Sequence, residues 1–126
     1  MRGYGRLMNN VSLVGNLATD VDLKDVGEKK VANFVLAVDR ESADGGADFL
    51  RIAAWERQGE LCAEYLAKGR RVSVEGRLRS RSWEQDGVRR EAVEVVARRV
   101  EFLGGGARGD GAAGAEVIPF EAAAAG

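Results

Sequence analysis

The chain has 126 residues, a formal charge of −1, 45% hydrophobic residues, one cysteine and no histidine. That length supports one domain with a modest core, and no apolar run approaches the length of a membrane span. A lone Cys62 excludes an internal disulfide, and the segment 1–8 has no apolar stretch of signal-peptide length, so a reducing cytoplasm is the expected setting. Net charge alone argues against a nucleic-acid binder, but its distribution does not. Residues 68–81 hold six basic residues (Lys68, Arg70, Arg71, Arg77, Arg79, Arg81) against one acid, Glu75.

Five apolar-rich runs read as strands: Val11–Leu23, Val31–Asp39, Asp48–Trp55, Arg71–Trp83 and Val88–Leu103. Asp44-Gly45-Gly46 and Asp86-Gly87 supply the positive-φ positions that tight connections need. In the third run Leu50, Ile52 and Ala54 alternate with Phe49, Arg51, Ala53 and Trp55. If the aliphatic set faces the core, Phe49, Arg51 and Trp55 share an outer face. The reverse assignment, with both aromatics buried, is the alternative.

Between the third and fourth runs, Leu61, Cys62, Tyr65 and Leu66 fall on one face of a helix over 58–69, with Gly69 as its C′ stop. Three strands, a helix and two strands is the order of the OB-fold, an all-β five-stranded Greek-key barrel with one helix between strands 3 and 4. An SH3-like barrel or a split α+β sheet is the structural alternative.

The fourth run is the most informative. Its period of two puts Val72, Val74, Gly76 and Leu78 on one face, and Ser73, Glu75, Arg77, Arg79, Arg81 and Trp83 on the other. Guanidinium groups beside an indole can hold phosphates and stack bases; a solvated edge strand is the bland alternative. After Leu103 the composition changes: fifteen of the 23 residues from 104 to 126 are Gly or Ala. Residues 1–103 are expected to form the folded domain and 104–126 a flexible tail.

Catalysis finds little support. There is no histidine for proton transfer, no cysteine pair, and no phosphate loop ending in Lys-Ser/Thr. Asp20 with Asp22, and Glu91 with Glu94, are pairs of carboxylates best read as solvated strand positions. Neither an enzyme nor a cofactor or metal site is expected.

Asn10-Val-Ser-Leu-Val-Gly-Asn-Leu-Ala-Thr-Asp20 resembles the opening strand of bacterial single-stranded DNA-binding proteins. Val31–Val38, Ala63–Gly69 and Val74–Trp83 continue the resemblance in family order and spacing, so that it covers residues 9–103. It implies an OB-fold that binds single-stranded DNA without sequence preference during replication, recombination and repair, usually as a homotetramer. Phe49, Trp55 and Trp83 match family positions that stack bases. Arg51, Arg57, Lys68 and Arg81 match basic positions near the DNA, and Arg77 and Arg79 join them from the ladder. The family's further aromatic after the second strand has no counterpart, since Asp39–Asp44 is acidic and non-aromatic. The family's tail ends in acids and Ile-Pro-Phe, which dock on replication and repair proteins. Here Ile118, Pro119 and Phe120 are present, but six residues follow and few acids precede; a chance tripeptide in a linker is the other reading. A primosomal replication protein N-like module, or a short paralogue serving DNA uptake, is the alternative to the replication-type protein.

Overall fold

Residues 7–104 are described by the computed structural model. They form β1 (Val11–Leu17), β2 (Asp22–Val26), β3 (Lys29–Asp39), β4 (Ala47–Trp55), α1 (Glu56–Tyr65), β5 (Arg71–Gln85) and β6 (Val88–Leu103). Alternation drives the strands: in β3, Ala32, Phe34 and Leu36 are buried while Asn33, Val35 and Ala37 are half-covered. Antiparallel pairing joins β1 to β5, β5 to β6 and β3 to β4, and a short parallel pairing joins β4 to β6. The ring closes where Asn16 and Leu17 of β1 meet Ala37 and Leu36 of β3. This is the OB-fold, with two short seams, β1–β3 and β4–β6, of two residue pairs each.

The expected first strand is divided. β1 stops at Leu17 because Thr19 Oγ1 accepts from the Val35 amide (3.1 Å) and Asp20 Oδ1 accepts from the Lys68 amide (2.9 Å). Those side-chain bonds turn the chain, and β2 then runs outside the ring as an edge strand on β3. Gly15 makes the β1–β3 seam feasible, since a Cβ there would collide with the Ala37 carbonyl oxygen.

The helix is displaced from its expected span, starting at Glu56 and ending at Tyr65. Gly69 is not its C′ stop. Leu66 caps the helix in an extended conformation, donating to the Cys62 carbonyl, and Gly69 (φ 95°) donates to Leu17 in the following turn. Cys62 and Leu66 are buried against the barrel, whereas Tyr65 is largely exposed and only tilts against Phe102 at 6.0 Å between rings. The core gathers Leu17, Phe34, Leu36, Ile52, Val72, Val74, Val95, Val100 and Phe102. Each large side chain fully buried there stabilises the fold by roughly 1.5–3 kcal/mol.

β5 and β6 outrun the barrel as a two-stranded ribbon that turns at Asp86 (φ 56°) and Gly87 (φ 79°). A bulge separates barrel from ribbon: Glu75 opposes Arg99 and Gly76 opposes Ala97, leaving Arg98 without an opposite number. At Gly76 a Cβ would strike the Val96 carbonyl oxygen, so the close approach demands glycine. Gln58 of α1 donates to the Arg98 carbonyl (2.8 Å), and Asn9 exchanges two hydrogen bonds with the Leu78 backbone (2.9 and 2.8 Å). The ribbon is thereby pinned on both sides where it leaves the barrel.

Candidate nucleic-acid interface

On β4 the aliphatic set does face the core: Ile52 and Ala54 are buried, Leu50 half-buried, and Phe49 and Arg51 exposed, with Trp55 half-buried on the same side. The alternative with both aromatics in the core is excluded for Phe49, which is 65% exposed. Trp55 is intermediate because it stands at the N-cap of α1, where β4 meets the helix. Ala53, between the two, is buried on the groove floor.

Pairing registers carry this face sideways. Arg51 lies opposite Val35 and Trp55 opposite Val31 on β3, whose outer neighbour on β2 is Lys24. On the other side Ala53 meets Val96 of β6, and along the ribbon Arg77 opposes Val96, Arg79 opposes Glu94, Arg81 opposes Ala92 and Trp83 opposes Arg90. Period two therefore puts the aromatics and arginines of β4 and β5 on one continuous outer surface. Its centre is a groove of about 440 Å³ lined by Thr19, Asp20, Asp22, Lys24, Asn33, Arg51, Arg81 and Glu94, among others. It continues as a second hollow of about 270 Å³ bounded by Trp55, Arg79 and Arg81.

The expected ladder on β5 holds for Val72, Val74 and Gly76, which are buried, but Leu78 is exposed. Past the bulge the core ends at Val95, opposite Leu78, and Leu78 stands clear of it. Trp83 is 41% exposed, and the Arg81 guanidinium sits over its ring at 5.4 Å, a cation–π contact that keeps the indole oriented. The Arg51 and Arg77 side chains have neither ion-pair nor hydrogen-bond partner among the described residues. Arg79 and Arg81 are engaged. Arg79 donates to Glu94 Oε2 from Nε (3.1 Å) and from Nη2, and Arg81 Nη1 stands 3.8 Å from Glu94 Oε1.

Two of the expected basic residues sit elsewhere. Arg57 is on α1 and pairs along the helix with Glu60 at 3.8 Å. Lys68 lies in the turn after α1, joined through its amide to Asp20, whose turn lines one end of the groove. Lys24, Asn33 and Glu94 were not singled out as interface residues, yet all three line the groove. Glu94 also corrects a sequence expectation, because it is buried rather than solvated, while Glu91 is exposed. An acid within Val93-Glu94-Val95-Val96 was the available signal, since a charge inside a core strand requires a partner. Cys62 is fully buried among apolar groups, and desolvation pushes its thiol up to about 12. Ile118, Pro119 and Phe120 lie outside the described residues. No helix among the described residues is long and apolar enough to cross a membrane.

A closed barrel carrying aromatics and arginines on one outer face defines an oligonucleotide-binding module. The chain belongs to the single-strand binding protein family, whose model matches residues 8–103. A single-stranded DNA-binding protein of Clostridium tetani is 43% identical over 102 residues, covering 76% of this chain and 70% of that protein. One from Bacillus cereus is 43% identical over 103 residues, covering 77% of this chain and 61% of its own length. Among solved structures, the Plasmodium falciparum SSB complex with ssDNA matches with a TM-score of 0.69 at 28% identity, covering 77% of this chain and 90% of that one.

Proposed function

We propose that this chain binds single-stranded DNA with little sequence preference, stacking bases on Phe49, Trp55 and Trp83 and holding phosphates with Arg51, Arg77 and Arg81, while Arg79 is engaged by Glu94. The observation that carries this reading is the shared outer face of β4 and β5, which bears these side chains, with Arg51, Trp55 and Arg81 lining the groove and its continuation. Every base has a π-face, so aromatic platforms bind sequence-tolerantly, at about 1–3 kcal/mol per stacked base. Exposed bases are available only in single strands, and a duplex hides them. The role is sequestration rather than catalysis, and serves replication, recombination and repair. Lys68 and Arg57 extend the basic path beyond the groove.

Two further parts of the reading concern assembly. The folded domain of residues 1–103 associates as a homotetramer, which is supported by apolar side chains exposed away from the groove: Val14 on β1, and Leu78 and Val93 on the opposite face of the ribbon. The segment 104–126 serves partner proteins through Ile118, Pro119 and Phe120, supported by the tripeptide alone. Cutting after Leu103 should then leave DNA affinity unchanged. Titration of the two tryptophans' fluorescence with poly-dT and with duplex DNA tests the central reading. Quenching by poly-dT at micromolar or lower concentration, with little response to duplex, is expected; equal response to both contradicts it.

A further inference from the structure

Glu94 is the one charged residue buried among those described, and it is buried in the middle of the basic face. Its side chain is 6% exposed, against 38% for Arg79 and 55% for Arg81. Oε2 accepts from Nε and Nη2 of Arg79, and Oε1 faces Arg81 at 3.8 Å. A carboxylate and a phosphodiester offer a guanidinium the same thing, two anionic oxygens set for a forked pair of hydrogen bonds. We propose that Glu94 is a built-in counter-anion. It takes the Nε–Nη2 edge of Arg79 that a DNA phosphate would otherwise occupy and offsets the charge of Arg81, and so lowers both the affinity and the salt sensitivity of single-strand binding. The inference rests on the single-stranded DNA reading above.

Charge counting gives the size of the effect. Arg79 and Arg81 carry +2 between them and Glu94 cancels one unit, so this part of the face offers one phosphate contact instead of two. A phosphate brought to Arg79 must either share its donors or approach a carboxylate that is poorly screened because it is buried. Phosphates are therefore anchored first at Arg51 and Arg77, which have no such partner among the described residues. The opposite role, a clamp that holds the arginines ready for DNA, is weaker on the geometry. Arg81 is already supported over the Trp83 ring at 5.4 Å, and loses only a loose ion pair without Glu94.

The test uses Glu94→Gln, which keeps the side-chain length and an acceptor oxygen and removes the charge. Affinity for a dT oligonucleotide is measured by tryptophan fluorescence across a salt series, with thermal melting as the check on folding. E94Q should bind roughly threefold to tenfold tighter at 50 mM salt, and its log–log salt slope should be steeper by about 0.7, the value of one further phosphate on a single strand. The advantage should shrink by about two- to threefold between 50 and 200 mM. The double variant E94Q/R79Q removes both partners together and leaves neither without its counterpart, so it should fold even where E94Q does not. It should match the parent in affinity and slope. A slope shallower by about 0.7 in the double variant would show Arg79 already reaching DNA in the parent, and overturn the proposal. A parent that binds DNA, with E94Q equal or weaker, overturns it alone; a parent that does not bind overturns the DNA reading and the proposal together.

Discussion

At the residue scale, exposure separates the three aromatics. Phe49 and Trp83 project from β4 and β5 with 65% and 41% of their surface free, so they contribute little to the core. Phe49→Ala and Trp83→Ala should each weaken dT binding by about 1–3 kcal/mol and leave the melting temperature nearly unchanged. Normal binding by both variants would remove stacking from the mechanism. Trp55 is half-buried at the start of α1, so Trp55→Ala should lower affinity and stability together. Cys62 gives a pH prediction. Below about pH 8.5 the thiol is protonated in folded and unfolded chains alike. Above it the unfolded thiol ionises while burial keeps the folded one neutral up to about 12, so stability falls as pH rises through that window. Cys62→Ala should lose stability less steeply over this range than the parent in urea melts. The shared faces were legible because alternation alone places Phe49, Arg51 and Trp55, or Arg77, Arg79, Arg81 and Trp83, on one side of a strand. Glu94 was misread because its partner Arg79 is fifteen positions away, and only the β5–β6 register brings them together.

At the element scale, the strands and the helix follow from period and turn chemistry, but their ends do not. Val11–Leu23 keeps an alternating pattern throughout, so nothing in the period marks the break after Leu17. The break comes from Thr19 and Asp20, whose oxygens accept from Val35 and Lys68, distant in sequence. The β5–β6 turn was readable, since Asp86-Gly87 occupies the two positive-φ positions that a two-residue hairpin needs. The bulge was not, because it depends on Gly76 lying beneath the Val96 carbonyl. Gly15→Ala and Gly76→Ala should each destabilise the domain by about 1–3 kcal/mol in urea melts, since a backbone oxygen occupies the space that the methyl needs. Gly76→Ala should also weaken DNA binding, because the bulge sets the direction of the ribbon that carries Arg77 to Trp83. Unchanged affinity in a folded Gly76→Ala variant would separate the ribbon's course from binding.

At the scale of the whole molecule, the barrel turns a nearly neutral chain into a surface with a basic, aromatic side. Strand order suggested the OB-fold, and the family resemblance over residues 9–103 favoured it over an SH3-like barrel or a split α+β sheet; ring closure through β1–β3 and β4–β6 was not visible, because two-residue seams leave no sequence signature. The closed ring fixes β4 and the ribbon side by side, so the groove is preorganised and binding orders few side chains. Where the strand runs is therefore the central claim, and amide chemical-shift mapping during titration with a dT oligonucleotide tests it most directly. Shifts should concentrate on Phe49 to Trp55, Arg77 to Trp83 and the groove residues Lys24 and Asn33. Shifts confined instead to α1 or to the outer side of β1, around Ser12 and Val14, would contradict the account.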